Sequence, residues 1–172
     1  NKINKQINQI LIEADAEEAK VLKKTYEKNS KVKVLSYGLW SQTAELKLNI
    51  SNSPSSSSVY KHNLKYLIRF PDYKRFETKR ITEIKVDKLD DIAINEKLNA
   101  DFIKIDIEGA ELDAFKGGLN FIKENIIGIE SEVSFVEKNI NQPLFAEVDT
   151  YVRNNLGFEL FDINQVYWKY NK

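Results

Sequence analysis

Three carboxylates, Asp106, Glu108 and Glu111, crowd into one short stretch around Gly109. Acids placed this closely can hold a cationic group, exchange a proton with a substrate, or ligate a metal. The metal reading is the weakest, because no histidine joins the three and Glu111 equally suits a helix N-terminus; no metal is expected. Asp106 and Glu108 are the candidates for chemistry. The competing role for Asp106 is to pair Lys104, two residues back on the same strand face, although Glu130 could equally serve Lys104. A fourth acid, Glu13, closes the apolar run Ile10-Leu11-Ile12. One carboxylate can accept both hydrogen bonds of a diol; otherwise Glu13 is a solvated strand-end acid. His62 is the only histidine and lies beside Ser55–Ser58. It is either a general base suited to neutral pH or a loop histidine in solvent.

The elements that position these groups follow from periodicity. Phe102 to Ile107 is rich in β-branched residues, as in a strand deep in a parallel sheet. Leu112, Phe115, Leu119 and Ile122 then form a helical stripe, broken near Gly117-Gly118. The acids therefore fall at the carboxyl end of a strand, where open α/β sheets bind ligands. Upstream, Gln9–Glu13 reads as a strand and Asp15 as the N-cap of a helix, with Glu18 in the capping-box position and Ala19, Leu22 and Tyr26 buried. Val32–Tyr37 is the next strand, followed by Gly38. Leu46, Leu48 and Ile50 alternate as a strand with one wet face. Residues 51–85 form a loop-rich insert: serines first, then aromatic and basic residues without a period, and a brief strand at Ile84 and Val86. This insert is a substrate lid or an ordinary crossover. Asp90 or Asp91 caps a helix to about Leu98.

Ile126–Glu132 reads as another strand. Pro143 opens a helix with Phe145, Val148, Val152 and Leu156 on one face and Gly157 as its C-terminal cap. Phe158–Ile163 and Val166–Tyr170 pair as a closing hairpin. Alternating strands and helices make this a doubly wound α/β fold, mostly parallel, with an antiparallel C-terminal edge. No internal repeat or domain boundary is visible.

Composition sets the outer limits. The 172 residues carry 26 basic and 26 acidic side chains, 42% hydrophobic and 30% charged residues, and no cysteine. Zero net charge argues against a broad nucleic-acid or anionic-membrane surface. No apolar run reaches the roughly 18 residues of a membrane span, and no signal peptide opens the chain. A soluble, cytoplasmic protein is expected.

Lys104 to Leu112, Lys-Ile-Asp-Ile-Glu-Gly-Ala-Glu-Leu, resembles the hallmark of the FkbM family of S-adenosylmethionine (SAM)-dependent methyltransferases. Ile10–Glu13, Val86–Ile92 and Leu156–Asp162 resemble further family blocks in the family's order. The resemblance implies a Rossmann-like class I methyltransferase sheet, with SAM as cofactor and O-methylation of a hydroxyl on a sugar or secondary metabolite. It places Glu13 on the donor's ribose, although Ala14 stands where the family has proline. Gly38 and Leu39 would line the adenine, though Gly38 can equally be a plain turn glycine. Asp106, Glu108 and His62 become the catalytic candidates, with Asp106 also facing the donor, and the partner is a small-molecule or glycan acceptor.

SAM sites of this fold use a glycine-rich turn after the first strand, and none of the six glycines precedes Glu13. The sequence is therefore expected to be a single, N-terminally truncated domain over 1–172, with an open sheet edge that favours self-association. Two other readings stand beside the enzyme: a non-catalytic binding or partner subunit with a decayed SAM site, and a nicotinamide-dependent enzyme. The Asp-Ile-Glu-Gly motif counts against the latter.

Overall fold

The computed structural model describes residues 7–165. β1 (Gln9–Glu13) leads through α1 (Ala16–Tyr26) into β2 (Val32–Ser36), which lies parallel to it. Asp15 caps α1 by accepting from Glu17 N at 2.9 Å, with Glu17 and Glu18 early and Lys23 and Lys24 late along the helix dipole. Ala19 is buried, and Leu22 and Tyr26 are half-buried.

β3 (Gly38–Leu39) is only two residues long and β4 (Ala44–Ser51) eight. The crossover then winds through a 3-10 turn at Pro54–Ser56, the short α2 (Leu64–Leu67) and a second 3-10 turn at Tyr73–Phe76. It returns as β5 (Thr78–Asp87), antiparallel to β4 and parallel to β3. The brief strand expected at Ile84 and Val86 is thus ten residues long, because pairing with β4 extends it through Thr78–Ile81, which are exposed and carry no apolar rhythm. Leu48, Ile50, Ile84 and Val86 form a small core between the two long strands.

α3 (Leu89–Glu96) starts without a side-chain cap, contrary to the cap expected from Asp90 or Asp91. Asp90 instead serves a helix further on. β6 (Phe102–Ile105) is followed by α4 (Glu111–Gly117) and α5 (Leu119–Asn125), broken at Gly118 as the two glycines foretell. The Asp90 carboxylate accepts from Asn120 N (3.2 Å) and Phe121 N (2.8 Å), satisfying the first turn of α5. β7 (Gly128–Ser131) lies parallel to β6. α6 (Phe145–Tyr151) runs on into a π turn, Val152–Leu156, and ends on Gly157 at φ 81°.

The main core gathers Ile105, Leu112, Phe115, Ile122, Val148 and Leu156, and Ile12 of β1 packs against it. Parallel strands and crossover helices give a mixed α/β architecture consistent with a Rossmann-like methyltransferase. Phe158–Ile163 is not a strand among the described residues, and Val166–Tyr170, the second half of the expected hairpin, lies outside them. No helix among the described residues is long and apolar enough to cross a membrane.

Candidate active site

β6 ends at Ile105, so Asp106 begins a turn rather than ending the strand. Two left-handed residues follow, Glu108 at φ 55° and Gly109 at φ 105°. That conformation is costly for a residue with a side chain and persists only where surroundings enforce it. Here they do. The Glu108 carbonyl accepts from Ser58 Oγ (2.7 Å) and Asn139 Nδ2 (2.9 Å). Glu111, 4% exposed, folds its carboxylate back beneath the turn, where Oε1 accepts from Ile107 N (2.9 Å) and Gly109 N (3.3 Å). Burial raises its pKa against those backbone bonds. Glu111 is the internal brace of the turn.

Asp106 and Glu108 emerge on different surroundings. The β6–β7 register sets Ile105 beside Ser131, so Asp106 and Glu132 follow side by side, with their carboxyls within hydrogen-bonding reach. Partial burial, then the hydrogen bond and charge of Glu132, push Asp106 up to about 6. Lys138 Nζ lies 2.7 Å from Glu108 Oε2 and 2.8 Å from Glu132 Oε1, its side chain 10% exposed. Burial opposes that ammonium, but Glu108 and Glu132 outweigh it and hold it above the usual lysine range. Burial likewise works against the Glu132 carboxylate, yet Lys138 and the Asp106 hydrogen bond keep it below the usual range. Lys104 pairs with Glu130 rather than Asp106.

His62 is neither in open solvent nor at the surface: it is 4% exposed. Asn139 Nδ2 donates to the Glu108 carbonyl, so its Oδ1 faces His62 Nδ1 at 2.5 Å and that nitrogen carries the hydrogen. Nε2 lies 2.7 Å from the Ser51 hydroxyl, which also reaches the Ser56 carbonyl at 3.1 Å. Burial lowers the imidazole pKa, against the raising effects of Asn139 and Glu108. The structure thus joins His62 to Glu108, through Asn139. Ser51, Ser56 and Ser58 of the serine-rich stretch are buried as well.

At the other strand pair, Glu13 stands across from Ser36 at the carboxyl ends of β1 and β2. Its Oε1 accepts from Asp15 N at 2.8 Å, and Oε2 takes no bond from the described residues. Ala14 packs against the smaller core and Leu39 against the main one. Gly38 is buried, and a Cβ there would lie 2.6 Å from Val86 Cγ1, so close packing on β5 already favours glycine.

Glu132, Lys138 and Asn139 are the residues that sequence reasoning did not assign to the site. Glu132 was legible only as an acid ending a strand. Lys138 and Asn139 sit in a polar run before Pro143 that has no period, and only contacts distant in sequence give them a role. Among the described residues no group of three acids and histidines is arranged to hold a metal ion.

A family described as "Methyltransferase FkbM domain" matches residues 4–160. No curated protein and no solved structure matches significantly.

Proposed function

The chain belongs to the FkbM methyltransferase family, and from that premise we propose SAM-dependent O-methylation of a hydroxyl on a sugar or secondary metabolite. The observation that carries this reading is an acid at the carboxyl end of a strand in each parallel pair, Glu13 ending β1 and Asp106 just beyond β6. A bound donor would supply an electrophilic methyl on a sulfonium. Glu13, with an oxygen still available at the tip of β1, suits the ribose hydroxyls. Ala14, Gly38 and Leu39 are the neighbouring positions on the ribose and adenine side. Asp106 stands where donor and acceptor meet. Glu108 orients Lys138, and His62, through Asn139, fixes the strained backbone of Glu108.

In this reading a further strand, carrying a glycine-rich turn, lies between β1 and β6 and completes the sheet. β1 and β6 are each hydrogen-bonded to a single strand among the described residues, which supports the space for it. The same reading makes the protein a cytoplasmic enzyme for a small-molecule or glycan acceptor. The alternative reading is a non-catalytic binding or partner subunit with a decayed donor site.

Calorimetry with S-adenosylhomocysteine separates the two. The complete natural chain should bind it, and Glu13→Gln should weaken binding by roughly 10–100-fold, as for one or more charged hydrogen bonds at ~1.5–3 kcal/mol each. A complete chain that binds neither SAM nor S-adenosylhomocysteine would leave the partner-subunit reading in possession.

A further inference from the structure

We infer that Glu132, anchored by Lys138, is a positioning residue that reserves Asp106 as the proton acceptor of this site; the inference rests on the methyltransferase reading above. The geometry begins with register. Asp106 and Glu132 are successive partners beyond the last β6–β7 pair, and two carboxyls in hydrogen-bonding reach do not both ionise without cost. The one that keeps the proton is decided by where the cations go. Lys138 touches Glu132 and Glu108, and Lys104 is taken by Glu130. Among the described residues no ion pair reaches Asp106. Glu132 therefore stays ionised, and when the pair takes up a proton it is Asp106 that binds it.

The other charged groups around Asp106 agree with this assignment. Glu108 and Glu111, in its own turn and at the start of α4, add negative charge, while Lys104 lies beside it on β6. Glu111 is buried and spent on the backbone, and Glu108 is 16% exposed and held by Lys138. Asp106 is the exposed member of the turn, able to meet an acceptor and to pass a proton to water. Carboxyl pairs whose surroundings drive their proton affinities apart divide the acid and base roles in this way. As the acceptor oxygen gains the methyl, its proton passes to Asp106 and then to solvent, while the sulfonium leaves as a neutral thioether.

The test uses the complete chain and Glu132→Gln, with Glu132→Asp as the conservative control. A carbon-13 NMR titration of the side-chain carboxyls needs no donor. In Glu132→Gln the Asp106 midpoint should fall by about one unit, and in Glu132→Asp it should stay near the wild-type value. In methyl transfer from labelled SAM to a panel of methyl glycosides, the acidic limb of the kcat/KM profile should move down by the same amount. S-adenosylhomocysteine affinity should hold within about twofold, since the change is confined to proton affinity. An Asp106 midpoint unmoved by Glu132→Gln overturns the inference, whatever the activity. If the midpoint moves but the wild-type chain neither binds the donor product nor transfers methyl, the methyltransferase reading fails instead, and with it the catalytic role given to Asp106.

Discussion

Gly117 lies against the backbone of Trp40: a Cβ on Gly117 would sit 2.0 Å from the Trp40 carbonyl oxygen and 3.0 Å from its carbon. Trp40 cannot easily give way, because its own N–H is bonded to Asp87 O at the end of β5 (3.0 Å). The contact seats α4, and with it the acidic turn, on the β3–β5 strands. Gly117→Ala should therefore cost ~1–3 kcal/mol of overpacking or more. For a chain of this size that is a loss of roughly 3–10 °C in melting temperature. Gly157→Ala is the control, with φ 81° but nothing within 4 Å; it should cost only the ~1–2 kcal/mol of left-handed strain. Calorimetric melts of the pair that showed Gly117→Ala unchanged would refute the contact.

Asp106→Asn separates a catalytic carboxylate from a structural one by sign. Its folded pKa is raised from 3.8 to about 6, so the stability it contributes is fully present below 3.8 and is lost as pH rises through about 6. At pH 7 the ionised carboxylate opposes folding, and asparagine should melt at or above wild type. Turnover of the complete enzyme should meanwhile fall about 10²–10⁴-fold. A clear drop in melting temperature at pH 7 with activity retained would make Asp106 a structural residue.

His62→Gln tests the buried clasp. The folded pKa of His62 is lowered, by burial first, so its stabilising contribution is present above the ordinary 6.5 and is lost as pH falls through the lower folded value. At pH 7 the substitution should cost ~1–3 kcal/mol through lost bonds to Ser51 and Asn139. Between pH 7 and pH 5 the melting-temperature gap between wild type and His62→Gln should narrow, because only the wild type has an imidazole to protonate there. Asp106 titrates in both proteins and cancels from the difference. A gap constant across that range would show that His62 is not held neutral.

What could be read from the sequence was local. Asp15 sits one residue before the helix it caps, and the Leu112–Ile122 stripe is interrupted by the glycines that divide α4 from α5. The acidic motif likewise marks its own turn. Interactions across long separations left no local trace. Asp90 looked like the cap of its own helix, but its carboxylate is drawn to the first turn of α5, 30 residues away. His62 looked like a loop residue because its partner, Asn139, belongs to a segment with no pattern of its own. The Lys138 bridge was invisible for the same reason, since it takes one acid from the motif and another from beyond β7.

The bond between His62 and Asn139 also bears on the order in which the chain assembles. It joins residues 77 apart, and closing a flexible loop of that length costs about 4 kcal/mol of chain entropy. One hydrogen-bonded contact cannot offset that cost, so the clasp forms only after β5, α3, β6, α4, α5 and β7 have brought its two ends together. Interactions absent from the folding transition state act on escape from the native state rather than on arrival. In stopped-flow kinetics, then, loosening this clasp should steepen the rate of unfolding while refolding proceeds at its former speed, which makes the His62–Asn139 contact a latch on the lifetime of the folded molecule.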